Sequence, residues 1–212
     1  MKNNSILKIP EIPKGQVLIN ETFCSLQGEG YYSGKAAFFI RFAGCDIGCI
    51  WCDSKDTWSV ENSRFTEIKE IVKEVKKYKT DIIVITGGEP LIYDLKELTD
   101  ALKKTSKEIH VETSGAYPLS VDFDWLTVSP KKNMKIIEST CYHADELKIV
   151  VFESSDIEFA KSLEDKVKRN CKLFLQPEWG NQKNILPEII DFIKNNPQWQ
   201  LSLQTHKYID IP

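Results

Sequence analysis

Short apolar runs typical of buried strands alternate along this chain with amphipathic stretches of helical period. The clearest run is DIIVI, residues 81 to 85, which follows a stretch from Phe65 to Tyr78 whose apolar residues recur at three- and four-residue steps. This alternation predicts parallel β/α units joined by right-handed crossovers. About six units fit, too few for a closed eightfold barrel.

The pattern predicts helices and strands throughout the chain, without an internal repeat or a long linker, so we expect one domain over residues 1–212. Helices are expected from Phe65 and near Leu95–Lys104, Asp156–Lys168 and Leu186–Lys194. Strands are expected at Val17–Cys24, Ala36–Phe42, 81–85, Glu108–Glu112, Trp125–Val128, Leu147–Val151 and Lys172–Gln176.

Composition indicates an ordinary globular protein, with 42% hydrophobic and 28% charged residues. No apolar run reaches the roughly 18 residues that span a bilayer. The start, MKNNSILKIPEIPKG, lacks the apolar stretch of a signal peptide, so a cytoplasmic location is expected. The net charge of −3, with both signs mixed along the chain, argues against direct nucleic-acid binding.

Three of the six cysteines, Cys45, Cys49 and Cys52, form a C-x3-C-x2-C loop directly after the strand Ala36–Phe42. Clustered cysteines in a cytoplasmic chain indicate metal binding rather than disulfides. Three such thiolates can hold one face of a cubane iron–sulfur cluster, whereas full protein ligation uses four. The other cysteines have no comparable spacing, so one iron would stay open to a non-protein ligand; they are Cys24, Cys141 and Cys171.

An alternative for this loop is a structural zinc site of the Cys3His type. The fourth ligand would be His110, His143 or His206. Such a protein would be a zinc-binding interaction module without catalysis.

The cysteine loop resembles the signature of the radical S-adenosylmethionine enzymes, and ITGGEP, Ile85 to Pro90, resembles their GGE motif. The resemblance implies a [4Fe–4S] cluster whose open iron is chelated by S-adenosyl-L-methionine. Reductive cleavage of that cofactor would give a 5′-deoxyadenosyl radical, with electrons from a donor protein such as flavodoxin or ferredoxin.

Further segments resemble one branch of that family, the 7-carboxy-7-deazaguanine synthases, from about Asn20 to the last residue. The segments are SLQGEG (25–30), FIRFAGC (39–45), ETSG (112–115), SPK (129–131) and SLQTHKY (202–208). The resemblance implies a partial (β/α)6 barrel, usually a homodimer. It also implies conversion of 6-carboxy-5,6,7,8-tetrahydropterin to 7-carboxy-7-deazaguanine with loss of ammonia, on the route to queuosine.

The resemblance assigns candidate residues to the substrate and the chemistry. Arg41 also has an argument of its own, because a guanidinium on a buried-type strand needs a partner such as the substrate carboxylate. Glu112 and His206 are the candidate catalytic residues, able to hydrogen-bond or move protons. The other candidate substrate-binding residues are Leu26, Gln27, Gly28, Thr86 and Pro212, the last through its terminal carboxylate.

The resemblance also assigns residues to S-adenosyl-L-methionine and to a magnesium ion. Ser54 stands where the family typically has a threonine that ligates Mg2+, so this chain keeps the hydroxyl but not the residue type. The candidate cofactor-binding residues are Trp51, Cys52, Asp53, Gly88, Ser114, Ser129, Pro130 and Lys131.

A second enzymatic alternative is a glycyl-radical activating enzyme, which shares the cysteine spacing but acts on a partner protein. That alternative leaves Arg41, SLQGEG and SLQTHKY without a role.

Overall fold

The structure is a computed structural model that describes residues 7–61 and 63–212. The beginning of the N-terminal stretch, expected not to be a signal peptide, lies outside the described residues. The described chain forms a nine-stranded sheet in the order β3-β1-β2-β4-β5-β6-β7-β8-β9. The strands are β1 Gln16–Leu26, β2 Ala36–Phe42, β3 Arg64–Glu67, β4 Ile82–Gly87, β5 Glu108–Thr113, β6 Trp125–Val128, β7 Glu146–Val151, β8 Lys172–Pro177 and β9 Trp199–Leu201.

The sheet is parallel from β2 through β4 to β9, and β1 and β3 extend it antiparallel at one edge. Parallel strands joined by crossovers confirm the predicted α/β partial barrel. The described helices are α1 Ile68–Val75, α2 Lys96–Leu102, α3 Glu138–Tyr142, α4 Ser154–Lys161, α5 Gln182–Asn195 and α6 Thr205–Ile209.

The helix predicted to begin at Phe65 was placed wrongly. Phe65 lies in β3 and is paired with Leu18 of β1, so α1 begins only at Ile68. The apolar residue satisfies the helical period, yet the tertiary strand pairing determines its structure. The helix predicted to reach Lys168 is also shorter, because α4 ends at Lys161 and a 3-10 turn at Glu164–Lys166 follows.

Alternate residues of each strand separate the core from the barrel interior. On β5, Ile109 and Val111 belong to the apolar core, whereas His110 and Glu112 face cavities inside the barrel. Successive side chains of a strand point to opposite faces of the sheet, so the alternating residues of β5 contribute to the polar interior on one face and to the apolar core on the other. Among the described residues, none of the helices has the length and apolarity to cross a bilayer.

Candidate active site

A chamber of about 450 Å3 opens at the carboxyl ends of the parallel strands. Parallel α/β folds place their sites at this end, because the loops that follow the strands converge there. Every residue that the resemblance assigned to the cluster, the cofactor, the magnesium ion or the substrate lines this chamber except Pro130, whereas His110 and His143, two of the alternative zinc ligands, do not. The structure therefore brings together candidate residues from Leu26 near the start of the chain to Pro212 at its end.

The cysteine loop leaves β2 through Gly44, whose φ of +87° requires a left-handed backbone. Two hydrogen bonds fix its start, from Gly44 N to Thr57 O at 2.7 Å and from Cys45 N to Trp58 O at 3.2 Å. A third, from Cys52 N to Cys49 O at 3.1 Å, closes the turn between the last two cysteines. The loop thus directs three half-buried thiols into the chamber.

The thiols fit an iron–sulfur cluster better than a single zinc ion. A tetrahedral zinc with bonds of about 2.3 Å would hold its sulfur ligands within roughly 4 Å of one another. In the part of the chain that the structure describes, the triads of ligand atoms within 4.8 Å of one another include no cysteine. In a cubane cluster each thiolate binds a separate iron, so the three sulfur atoms can lie farther apart than around one zinc ion.

Burial favours the protonated form of two of these thiols, Cys45 and Cys49, in the protein without a cluster. It raises the pKa of Cys45 to about 12, and the neighbouring Glu89 adds to the effect. Burial also raises the pKa of Cys49, which Lys131 partly opposes. Cluster binding must therefore displace protons from the thiols, since thiolates are the ligands.

Glu89, the acid of the GGE segment, is a fully buried carboxylate that joins two loops. It accepts hydrogen bonds from Leu91 N at 3.1 Å, Thr113 Oγ1 at 2.6 Å and Ser114 N at 2.8 Å, and also from Ser114 Oγ. Gly88 beside it packs so closely that a Cβ would lie 2.2 Å from the carbonyl oxygen of Gly44. Glu89 therefore positions the Ser114 loop against the cysteine loop.

Glu112 lies deeper in the chamber, where two polar side chains hold its carboxylate. Gln27 Nε2 donates to its Oε1 at 2.9 Å, and Thr86 Oγ1 donates to its Oε2 at 2.9 Å. This arrangement brings three of the residues predicted around the substrate into one hydrogen-bonded group. It leaves a fixed carboxylate facing the chamber.

An ion pair between the buried Lys148 and the half-buried Glu29 continues the polar interior. Burial by itself would raise the pKa of Glu29, but the Lys148 ammonium holds that pKa below its ordinary value. Gln204 Nε2 then bridges Glu29 Oε1 at 2.8 Å and Asp53 Oδ2 at 2.9 Å. Asp53 is also paired with Lys207 at 2.9 Å, so charges of both signs alternate along this wall.

Arg41 and Ser54 lie side by side on the chamber wall. The Arg41 Nε donates to Glu21 at 2.8 Å, and its Nη1 lies 3.4 Å from Ser54 Oγ. The guanidinium carbon also sits 5.3 Å from the centroid of the Phe23 ring. Because the Nε side is used by Glu21, the outer Nη edge is the part of the fork that faces a ligand.

His206 sits on α6 and packs against the Gly-rich loop. A Cβ at Gly28 would lie 2.1 Å from its Nδ1, so only glycine permits this approach. Thr205 N and Oγ1 bind the same glycine carbonyl at 2.8 and 2.9 Å. Near the C-terminus, Ser25 Oγ donates to the Pro212 oxygen at 3.0 Å.

The SPK turn contributes a half-buried lysine, Lys131, to the chamber. Lys131 Nζ donates to Ser129 O at 2.5 Å and to Ser129 Oγ at 2.7 Å, and it lies 5.2 Å from the centroid of Trp51. The Pro130 ring, expected at the cofactor, is not part of the chamber wall, so its backbone geometry rather than its side chain shapes the turn.

Several chamber residues were not found from the sequence. Glu29 lies inside SLQGEG but was given no role of its own. Glu89 lies in the GGE motif, which the resemblance assigns to the amino group of the cofactor's methionine, but it was not named as a site residue. Lys148 and Gln176 gave weaker signals, namely polar residues inside apolar strands. The remaining additions to the wall include Thr113, Thr127, Glu178, Trp179, Gln204 and Lys207.

Known proteins resemble this chain over most of its length. The model of the Radical SAM superfamily matches residues 39–126. The 7-carboxy-7-deazaguanine synthase of Flavobacterium psychrophilum is 45% identical, with 95% of this chain and 96% of that protein aligned. The protein of the same description from Escherichia coli K12 is 36% identical over 92% of this chain and 99% of its own.

A solved structure agrees with these relatives. The crystal structure of QueE from Escherichia coli superposes with a TM-score of 0.82 at 33% identity, covering 91% of this chain and 96% of that one. The matches give no support to the zinc module or to the glycyl-radical activating enzyme. The chain belongs to the 7-carboxy-7-deazaguanine synthase family of radical S-adenosylmethionine enzymes, which bind a [4Fe–4S] cluster and act in queuosine biosynthesis.

Proposed function

We propose that this chain contracts the ring of 6-carboxy-5,6,7,8-tetrahydropterin to 7-carboxy-7-deazaguanine with loss of ammonia. The observation that carries the proposal is the shared chamber, in which the three-thiol loop faces the Gln27–Glu112–Thr86 group. A carboxylated tetrahydropterin needs donors and acceptors along the edge of its flat pyrimidinone ring and a cation at its carboxylate. Gln27 and Glu112 supply the hydrogen-bond donors and acceptors, and Arg41 supplies the cation.

The protein binds and orients, and the cofactors supply the radical chemistry when bound. Cys45, Cys49 and Cys52 would hold the cluster. The Ser114 loop, the SPK turn and Gly88 would contact S-adenosyl-L-methionine, since they lie beside the thiols. The substrate then occupies the polar interior, with its carboxylate at Arg41 and its reacting ring beside Glu112 and His206.

The test is anaerobic reconstitution with iron and sulfide, followed by reductant, S-adenosyl-L-methionine, Mg2+ and the carboxylated tetrahydropterin. Mass spectrometry should detect 7-carboxy-7-deazaguanine. Cys52→Ala should lose both product and bound iron, whereas Cys24→Ala, on the β1 strand outside the chamber, should keep both. Normal turnover by Cys52→Ala would disprove the assignment.

We propose Ser54 as a ligand of a magnesium ion that also binds the substrate. Magnesium takes few protein ligands and completes its octahedron with water and substrate oxygens. Ser54→Ala should abolish the magnesium stimulation of turnover, and Ser54→Thr should retain it. The Arg41–Ser54 contact is a reason to measure substrate affinity in both variants.

We propose that the carboxylate of Pro212 accepts hydrogen bonds from the pterin. Its position is supported by the Ser25 contact and by its place in the chamber wall. Adding one glycine after Pro212 would move the carboxylate by roughly 3.5 Å. Turnover should fall sharply while iron content and thermal stability stay unchanged, and full activity of the extended chain would contradict the role.

The remaining expectations complete the proposal. The chain is expected to act as a homodimer and as a single domain, and the described strands do lie in one sheet. A flavodoxin or ferredoxin is the expected electron donor. A cytoplasmic location suits a cluster that must be reduced.

A further inference from the structure

A second, much smaller cavity lies inside the barrel below the chamber. Its volume is about 10 Å3, and Glu112 lines both it and the chamber. His110 of β5 and its sheet partner Trp125, the first residue of β6, also face it, together with Glu146, the first residue of β7. The cavity therefore adjoins the far side of the carboxylate that faces the substrate.

The size and walls of this cavity fit one water molecule. About 10 to 15 Å3 suffices for a single water, provided that two to four polar groups can bind it. Carboxylates from Glu112 and Glu146 face the space. The indole N–H of Trp125 is buried and makes no hydrogen bond of normal geometry in the described part of the chain, but it interacts with the Glu146 carboxylate and partly opposes the burial that raises the pKa of that group. A water here would accept from that donor and reach the carboxylates.

His110 continues from the cavity toward the surface. Its side chain is 4% exposed, and its Nε2 lies 3.1 Å from Oε2 of Glu108, whose side chain is 57% exposed. An imidazole can take up a proton at one nitrogen while it releases another from the second. A buried histidine between a water-sized cavity and an exposed carboxylate can therefore transfer protons between the two.

The proposed reaction requires proton movement at the chamber. When ammonia is eliminated, a C–H and a C–N bond break and a ring double bond forms. The proton from carbon goes to a base, and the departing amine takes up a proton to leave as ammonia. Its conversion to ammonium consumes one more proton from solution, and no oxidant or reductant is needed.

We propose that Glu112, a water in the small cavity, His110 and Glu108 form the route by which the chamber exchanges protons with solvent. This inference rests on the proposed function. It assigns His110 and Glu108, which do not line the chamber, as positioning and relay residues for the reaction. Tyr32 closes the cavity from the β1–β2 turn, with its ring 4.5 Å from that of His110.

The charged surroundings of His110 are compatible with a transient positive charge. Burial lowers its pKa, and the carboxylates of Glu108, Asp124 and Glu112 act in the opposite direction. Glu146 and Glu29 face the same cavity from β7 and from the Gly-rich loop. The histidine is thus neutral at rest and surrounded by acids that stabilise its protonated form.

The kinetic test compares His110→Gln and Glu108→Gln with the matched control His143→Gln, a histidine on the exposed end of α3. His110→Gln keeps a hydrogen-bonding side chain but cannot be protonated, so kcat should fall about 100-fold with KM nearly unchanged. Glu108→Gln, at the surface, should lower kcat less and raise the solvent deuterium isotope effect. Added imidazole should restore turnover to His110→Ala, an outcome that loss of packing alone would not give.

A measurement without turnover tests the connection itself. In the oxidised holoenzyme labelled with 15N-histidine, Glu112→Gln should lower the pKa of His110 and leave the His143 resonances unchanged. An unshifted His110, or normal kcat in both His110→Gln and Glu108→Gln, would overturn the route. If the parent enzyme made no deazaguanine product, the proposed function would fail instead, while the NMR coupling would still report on the connection.

Discussion

The carboxylate of Glu89 accepts a hydrogen bond from the backbone N–H of Ser114 at 2.8 Å, and so ties together two segments 25 residues apart. Sequence resemblance assigned both segments to the cofactor without saying how they are related. The structure supplies a reason, because a buried carboxylate that accepts from Leu91, Thr113 and Ser114 fixes both loops at once. Glu89 acts through the loop it positions.

Glu89→Gln should destabilise the protein and weaken S-adenosyl-L-methionine binding. The glutamine amide has an NH2 group in place of one carboxylate oxygen, and this group would face N–H and O–H donors that now bind that oxygen. Those buried donors would lose their acceptor, at a cost of about 1–3 kcal/mol in the free energy of unfolding. Chemical denaturation and cofactor titration measure the two effects. Glu70→Gln, on the exposed face of α1, is the control and should change neither.

Arg41→Lys should weaken substrate binding more than cofactor binding. Lysine lacks the fork that pairs with a carboxylate, and loss of a charged hydrogen bond costs about 1.5–3 kcal/mol, or roughly 10- to 150-fold in affinity. Titration calorimetry with each ligand separates the two. Equal losses for both ligands would show that Arg41 only shapes the wall.

Glu21→Gln is the control for Arg41. It removes the charge of the 2.8 Å partner but keeps an oxygen acceptor, and the Glu21 side chain is 52% exposed. Exposed pairs contribute little, so substrate affinity should change by less than about 1 kcal/mol. A large effect would favour a structural ion pair as the purpose of Arg41.

Sequence periodicity predicted the parallel strands well because each is an apolar run buried between layers, as at Ile82–Gly87. It failed where long-range pairing decides the structure. β3 forms because β1 is beside it, and β9 is only three residues long, Trp199–Leu201. A pattern read over a few neighbouring residues therefore reveals neither strand β3 nor strand β9.

The candidate site shows the same division. Residues in compact motifs, such as Cys45 and Gly88, were predicted to be at the site and line the chamber. Lys148 was not predicted to be at the site, because nothing in the neighbouring sequence ELKIVV shows which residue pairs with this lysine. Glu29 lies 119 residues away, so only the closed barrel makes the pair recognisable.

Lys148→Met should be strongly destabilising because it leaves the half-buried Glu29 without its counter-ion. Breaking a buried pair from one side costs about 3–5 kcal/mol, whereas replacing both partners by apolar residues is often neutral. The double variant Lys148→Met with Glu29→Leu should therefore recover much of the loss. Denaturation of the two single variants and the double variant measures the coupling, and additive losses would contradict it.

Stability should depend on pH through Glu146, which faces the small cavity on β7. Burial raises its pKa from 4.5 to about 6, and Lys148 opposes that shift only in part. The folded protein therefore prefers the protonated acid. The corresponding stability is fully present below pH 4.5 and is lost as the pH rises through about 6.

Glu146→Gln mimics the protonated acid and can still accept the hydrogen bond from Tyr31 N, which lies 3.0 Å from Glu146 Oε2. Relative to the parent, the variant should gain up to about 2 kcal/mol between acidic pH and pH 8, because one pKa unit corresponds to about 1.4 kcal/mol. Anaerobic denaturation curves at several pH values give this difference directly. A constant difference across the range would show that the Glu146 carboxyl has the same pKa folded and unfolded, and that burial does not control its charge.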